Sequence, residues 1–140
     1  MGCIVGIDFG MRRVGISISD LNKKIALPLA VIERKNKTMI LDEISKLIKD
    51  MDVERFVVGL PLRTDGKKSQ MQKFVTSFIS ELEKFFNIDV VGWDERYTSV
   101  IAKNTLTSGN VKQKKQRKII DKISAQLILQ SYLDYLQYNR

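Results

Sequence analysis

The chain has 140 residues, 44% of them hydrophobic, with one cysteine, no histidine, a formal net charge of +8 and a pI of about 9.6. That length suits one domain with one sizeable core, so residues 1–140 are expected to form a single unit. No apolar run approaches the roughly 20 residues of a membrane span, an acidic residue arrives too early for a secretory signal, and the lone Cys3 cannot make an internal disulfide; a cytoplasmic protein is the simple expectation.

In chain order, the apolar residues from Gly2 to Asp8 suit a largely buried strand, ended by a turn at Gly10. "RVGISIS" alternates as a second strand, the pattern of an antiparallel neighbour. "KIALPLAVIE" reads as a third, short or at an edge because Pro28 cannot donate to a ladder. The period then changes. Ile40, Leu41, Ile44, Leu47, Ile48 and Met51 mark one face of a helix. "RFVVGLP" is a short buried strand ending at Gly59 and Pro61, and "LRTDGKKS" is a loop. Met71, Phe74, Val75, Phe78, Ile79, Leu82, Phe85 and Phe86 form a strongly amphipathic helix. "IDVVGW" is the next strand, "DERYTSVIAKNTL" runs from its end into a helix, and a last helix spans roughly Gln116 to Tyr138. Three strands joined by short turns, then alternating helix and strand, predict an α/β domain with a mixed sheet. Its first strands are expected to be antiparallel and its later ones parallel, because helical crossovers join them.

The positive charge favours a polyanionic partner, nucleic acid first. It clusters in "VKQKKQRK", where Lys112, Lys114, Lys115, Arg117 and Lys118 precede the apolar part of the last helix. Such a segment can track phosphates, although an isolated charge run is usually a solvated face.

Three carboxylates stand against their local context. Asp8 lies in the first strand between Ile7 and Phe9. Glu95 follows Asp94 directly after "VVGW". Asp121 shares a helical stripe with Ala125, Ile128 and Tyr132. Each has a bland explanation: Asp8 as a strand-end turn former, Glu95 as a first-turn helix charge, Asp121 as a partner of Lys118 or Lys122. Asp94 suits a helix cap or a partner for Arg96. Together, the three would repel one another unless a cation neutralised them. Carboxylate oxygens suit hard ions, Mg²⁺ or Mn²⁺, rather than zinc. With no histidine there can be no histidine base, while a two-metal carboxylate site needs none.

"GIDFGMRRVGISISD", "VVGLPLRTDG", "DERYTS" and "DKISAQLILQSYLD", in that order, resemble the YqgF/RuvX family over nearly the whole chain. The resemblance implies a ribonuclease H-like fold with a mixed five-stranded sheet and a Holliday junction resolvase-like nuclease activity. In bacteria that family is associated with maturing the precursor of small-subunit ribosomal RNA. Carried over by motif, it makes Asp8, Glu95 and Asp121 catalytic and metal-binding. Arg96 and Thr98 become backbone or substrate contacts. Arg12 and Arg13 would hold substrate with the lysine-rich segment. Met11, Arg63 and Thr64 depart from the family's common residues near the substrate face. The chain could act as a monomer or a homodimer. A non-catalytic nucleic-acid-binding module is the alternative; it requires no convergence of the three carboxylates. An ATP-dependent enzyme of the actin–hexokinase type also has a "DxG" loop after a strand, but normally duplicates its domain.

Overall fold

The computed structural model describes residues 2–34, 37–61, 69–95 and 113–138, without the side chains of 37–38 and 113–122. Five strands form one sheet in the order β3-β2-β1-β4-β5. They are β1 (Cys3–Phe9), β2 (Arg13–Ser19), β3 (Ala26–Glu33), β4 (Val53–Leu60) and β5 (Asp89–Asp94). Among the described residues three helices accompany them: α1 (Lys37–Leu47), α2 (Gln70–Phe86) and α3 (Gln113–Tyr138). β1–β2 and β2–β3 are antiparallel, whereas β1–β4 and β4–β5 are parallel. This is the predicted mixed sheet. The parallel pairs follow from sequence, because α1 lies between β3 and β4 and α2 between β4 and β5.

β3 is an edge strand, as Pro28 required. The ladder with β2 is irregular there: Ile16 pairs with Ala30, while Ser17 pairs with Pro28, which skips Leu29. A bulge absorbs the donor that proline lacks. α2 starts on Ser69, whose hydroxyl accepts from the Gln72 amide at 3.0 Å, and stops on Asn87 in the left-handed conformation at φ 55°. Those caps bracket the apolar pattern, which runs from Met71, one residue into the helix, to its last residue, Phe86.

The sheet divides the apolar residues by parity. Cys3, Val5, Ile7 and Phe9 of β1 join Ile40 and Ile44 of α1 and Val75, Phe78 and Leu82 of α2 in the larger core. Ile4 and, on β4, Val57 join Ile128, Leu129, Tyr132 and Leu133 of α3 on the other face. Alternation therefore turns Gly6 and Asp8 toward the α3 side. α3 packs closely because small residues lie beneath it. A methyl group on Gly6 would fall 2.7 Å from Leu129 Cβ, and the fully buried Ser17 donates its hydroxyl proton to the carbonyl of Ala125 at 2.7 Å. Apolar residues all round α3 make its packing side ambiguous in sequence. The structure buries Ala125, Ile128, Leu129, Tyr132 and Leu133.

α3 runs antiparallel to β1. Near its C-terminus, Gln130 accepts from the Ala26 amide at 2.8 Å and donates to the Lys24 carbonyl at 2.9 Å. That β2–β3 turn lies at the start of β1, where the Ile4 amide donates to Ser19 Oγ. The earlier turns of α3 accordingly lie toward the Asp8 end of the strand. The predicted start at Gln116 extends to Gln113. The helix expected within "DERYTSVIAKNTL" falls, beyond Glu95, outside the described residues.

Candidate active site

Asp8 is half-buried near the end of the central strand, opposite Gly15 of β2. The β4 partner of the preceding Ile7 is Val58, so Gly59 comes next along β4 beside Asp8. Glycines on both neighbouring strands leave space above the sheet at this level. Glu95 fills part of it. It follows β5 directly, and a methyl group on Gly59 would fall 2.8 Å from its Oε1 and 2.6 Å from Ile128 Cδ1. Glu95 therefore lies across Gly59 and hydrogen-bonds the side chain of Asp8.

Burial pushes the Glu95 carboxyl above the usual glutamate range, and the nearby Asp94 charge adds to the shift. The hydrogen bond with Asp8 opposes it. Two carboxyl groups in hydrogen-bond contact cannot both be ionised at low cost; they share a proton or a cation. Asp94 itself closes β5 in register with Leu60, half-buried.

Two of the three predicted carboxylates thus meet. The third, Asp121, is on the backbone of α3, one turn before Ala125 and so about 6 Å further toward the Asp8 end. Its side chain lies outside the described residues. Among the described residues, no three acidic or cysteine side chains form a metal-binding group. Of the basic positions, Arg12 is exposed in the turn after β1 and Arg13 opens β2 half-buried. Lys112 and Arg96, with Thr98, Arg63 and Thr64, lie outside the described residues. So do the side chains of Lys114, Lys115, Arg117 and Lys118 on α3. Met11 is exposed beside Arg12. Trp93 packs, as its apolar strand suggests: its ring meets Tyr132 and Tyr135, and its Nε1 donates to Ser131 Oγ at 3.1 Å.

Sequence reasoning missed the part played by Gly59, read only as the end of a strand. Its signal was the lone glycine inside "FVVGLP", which marks a close approach over a strand.

The fold is ribonuclease H-like, of the kind found in junction resolvases. The Thermus thermophilus RuvC solved "in complex with Holliday junction substrate" superposes with a TM-score of 0.55 at 9% identity, covering 97% of this chain and 96% of that one. The fowlpox virus Holliday junction resolvase does so at 0.56 and 16% identity, covering 96% and 99%. At such identities the likeness concerns the fold alone. Residues 2–135 match the family described as "RuvX: Holliday junction resolvase". A protein of Nitrosospira multiformis is 38% identical over 133 residues, covering 95% of this chain and 88% of its own. One of Carboxydothermus hydrogenoformans is 38% identical over 136 residues, covering 97% and 99%. Both are named "Putative pre-16S rRNA nuclease". The chain belongs to the RuvX family.

Proposed function

We propose that residues 1–140 form one nuclease domain. It hydrolyses phosphodiester bonds with a divalent metal ion, in the precursor of small-subunit ribosomal RNA or in branched nucleic acid. The observation that carries this reading is the contact between Asp8, near the end of the central strand, and Glu95, laid across Gly59 to reach it. A binding module without chemistry would have no use for that contact. The names of the relatives favour the ribosomal RNA precursor; the family's description as a Holliday junction resolvase favours the branched substrate.

The donor set fits a hard cation. Both groups are carboxylates, there is no histidine in the chain, and the pair repels itself when ionised. Asp8, Glu95 and Asp121 would hold Mg²⁺ or Mn²⁺. Bound there, the cation supplies an acidified water and offsets charge on the leaving oxygen. The protein's own part is placement. β1 presents Asp8, Gly59 admits Glu95, and α3 carries Asp121. Arg12, Arg13, Arg96, Lys112, Lys114, Lys115, Arg117 and Lys118 would hold substrate phosphates. Among the described residues no helix is long and apolar enough to cross a membrane, and a single buried thiol suits the cytoplasm.

The test is cleavage of a ribosomal precursor end and a four-way DNA junction, each with unbranched RNA and DNA controls, with Mg²⁺, Mn²⁺ or chelator. Cleavage should fall to background in chelator and in Asp8→Asn, while nucleic-acid binding largely persists. Asp8→Asn should also stabilise the metal-free fold. Two carboxylates in contact cost stability wherever both are ionised, and the substitution removes one of the two charges. Cleavage retained in Asp8→Asn would rule the assignment out.

A further inference from the structure

The turn that joins β1 to β2 spans Gly10, Met11 and Arg12, beginning two residues after Asp8. Its own backbone supplies one bond, from the Gly10 amide to the Arg13 carbonyl at 2.9 Å. The carbonyls of its three residues all go to a single residue, Arg34, just beyond β3. Arg34 Nη1 donates to the Gly10 carbonyl at 2.9 Å and to the Met11 carbonyl at 3.1 Å, and the Arg34 amide donates to the Arg12 carbonyl at 2.8 Å. The guanidinium carbon also sits 4.4 Å from the centroid of the Phe9 ring, so the side chain is held over an aromatic face.

Among the described residues, the amides of Met11 and Arg12 have no acceptor, and both residues are exposed. With its carbonyls engaged, the turn keeps only donors for a ligand, and successive backbone N–H groups in a turn are an anion-binding arrangement. Among the described residues, Arg34 Nε is buried without a partner. A buried donor left unpaired is unfavourable, so packing alone does not account for arginine here.

We infer that Arg34 is a positioning residue for substrate binding: by occupying the carbonyls of residues 10–12 it fixes the turn beside Asp8 as a donor surface for a nucleic-acid phosphate. The inference rests on the reading of Arg12 as a phosphate contact. Without the guanidinium, the carbonyls of Gly10 and Met11 are released and can rotate toward the phosphate, which they repel, while the bond from the residue-34 amide to the Arg12 carbonyl remains.

The test is equilibrium binding of a labelled single-stranded RNA by the full chain, in chelator and at one fixed salt concentration. Arg34→Gln and Arg12→Gln should each weaken binding by roughly tenfold, the scale of one charge-assisted hydrogen bond. The double variant should be weaker by much less than the product, because both act through one turn. Arg34→Lys can still donate to one carbonyl and should recover part of the loss. In amide-resolved NMR, RNA should shift the Met11 and Arg12 signals of the unmodified chain and move them less in Arg34→Lys. A merely structural role lowers stability without coupling to Arg12. Arg34→Gln binding within twofold of the unmodified chain, or effects that multiply, would overturn the inference. If Arg34→Gln does not fold, Arg34→Lys decides: unchanged affinity and unchanged Met11 and Arg12 shifts overturn it. Absence of RNA binding by the unmodified chain overturns this inference together with the nucleic-acid reading. Arg34-dependent binding without metal-dependent cleavage would support the inference while removing the nuclease.

Discussion

Glu95 reaches Asp8 only because position 59 has no side chain. A Cβ at Gly59 would sit 2.6 Å from Ile128 Cδ1, 2.8 Å from Glu95 Oε1 and 2.9 Å from Glu95 Cγ. All three are side-chain atoms, so Gly59→Ala should displace Glu95 and Ile128 rather than break the sheet. Overpacking of this kind costs about 1–3 kcal/mol. A catalytic group misplaced by an ångström costs on the order of a hundredfold in rate. Gly59→Ala should therefore lose about a hundredfold in cleavage while urea unfolding shows a stable, cooperative fold. A rate within twofold of the unmodified chain would mean that Glu95 is not at the reacting centre. Asp8 and Glu95 were legible in sequence, because a carboxylate in or directly after an apolar strand is costly and demands a partner. Gly59 and Arg34 were not. Gly59 acts through space it leaves empty, and Arg34 acts on carbonyls 22 to 24 residues earlier in the chain, which no local spacing reveals.

Strand parity and helical period made the elements legible, because each buries a regular face. β1 alternates between two cores, and α2 buries Val75, Phe78 and Leu82 on one stripe. The packing side of α3 was hidden because its apolar residues surround the axis; packing against Gly6 and Ser17 resolves it. The joints between elements were less legible still. At the foot of the sheet, Lys23 stands in the β2–β3 turn in the left-handed region at φ 58° and forms an ion pair with Glu54 of β4. The hydrogen bond from Lys23, with help from the Gly2 amide, holds the Glu54 carboxyl below the usual glutamate range. A depressed carboxylate contributes stability that is fully present above its unfolded value of about 4.3 and lost as pH falls through the folded value. The pair is partly exposed, so Glu54→Gln should cost less than about 1 kcal/mol at neutral pH. The difference from the unmodified chain should vanish once pH falls below the folded value. Urea unfolding across that range checks this, and a gap that stays constant with pH would mean that Glu54 acts through packing alone.

Across the whole molecule, 24 Lys and Arg outnumber 16 Asp and Glu, yet two of the acids are pressed together near the end of the central strand. A positive protein with a small negative centre suits a polyanion held by its phosphates and attacked at a cation-filled site. The densest source of positive charge is "VKQKKQRK". α3 begins at Gln113 with no acid in its first turn, where lysines oppose the helix dipole. A phosphate bound there would offset that cost, so substrate and helix start should stabilise each other. The segment has lysines and arginine but no interleaved aromatic, which suits backbone contacts and poorly serves base stacking. Replacing Lys112, Lys114 and Lys115 together by glutamine should weaken binding to unrelated sequences by similar factors. For every phosphate no longer neutralised, the slope of log affinity against log salt should become shallower by roughly 0.7–0.9. Metal binding, read by calorimetry on the same variant, should persist if these residues hold substrate and not the cation. Titrations at several salt concentrations on two RNA sequences and one DNA junction decide the matter. If affinity and slope are unchanged, the run is a solvated face, and the phosphates must be held by Arg12, Arg13 and the turn that Arg34 fixes.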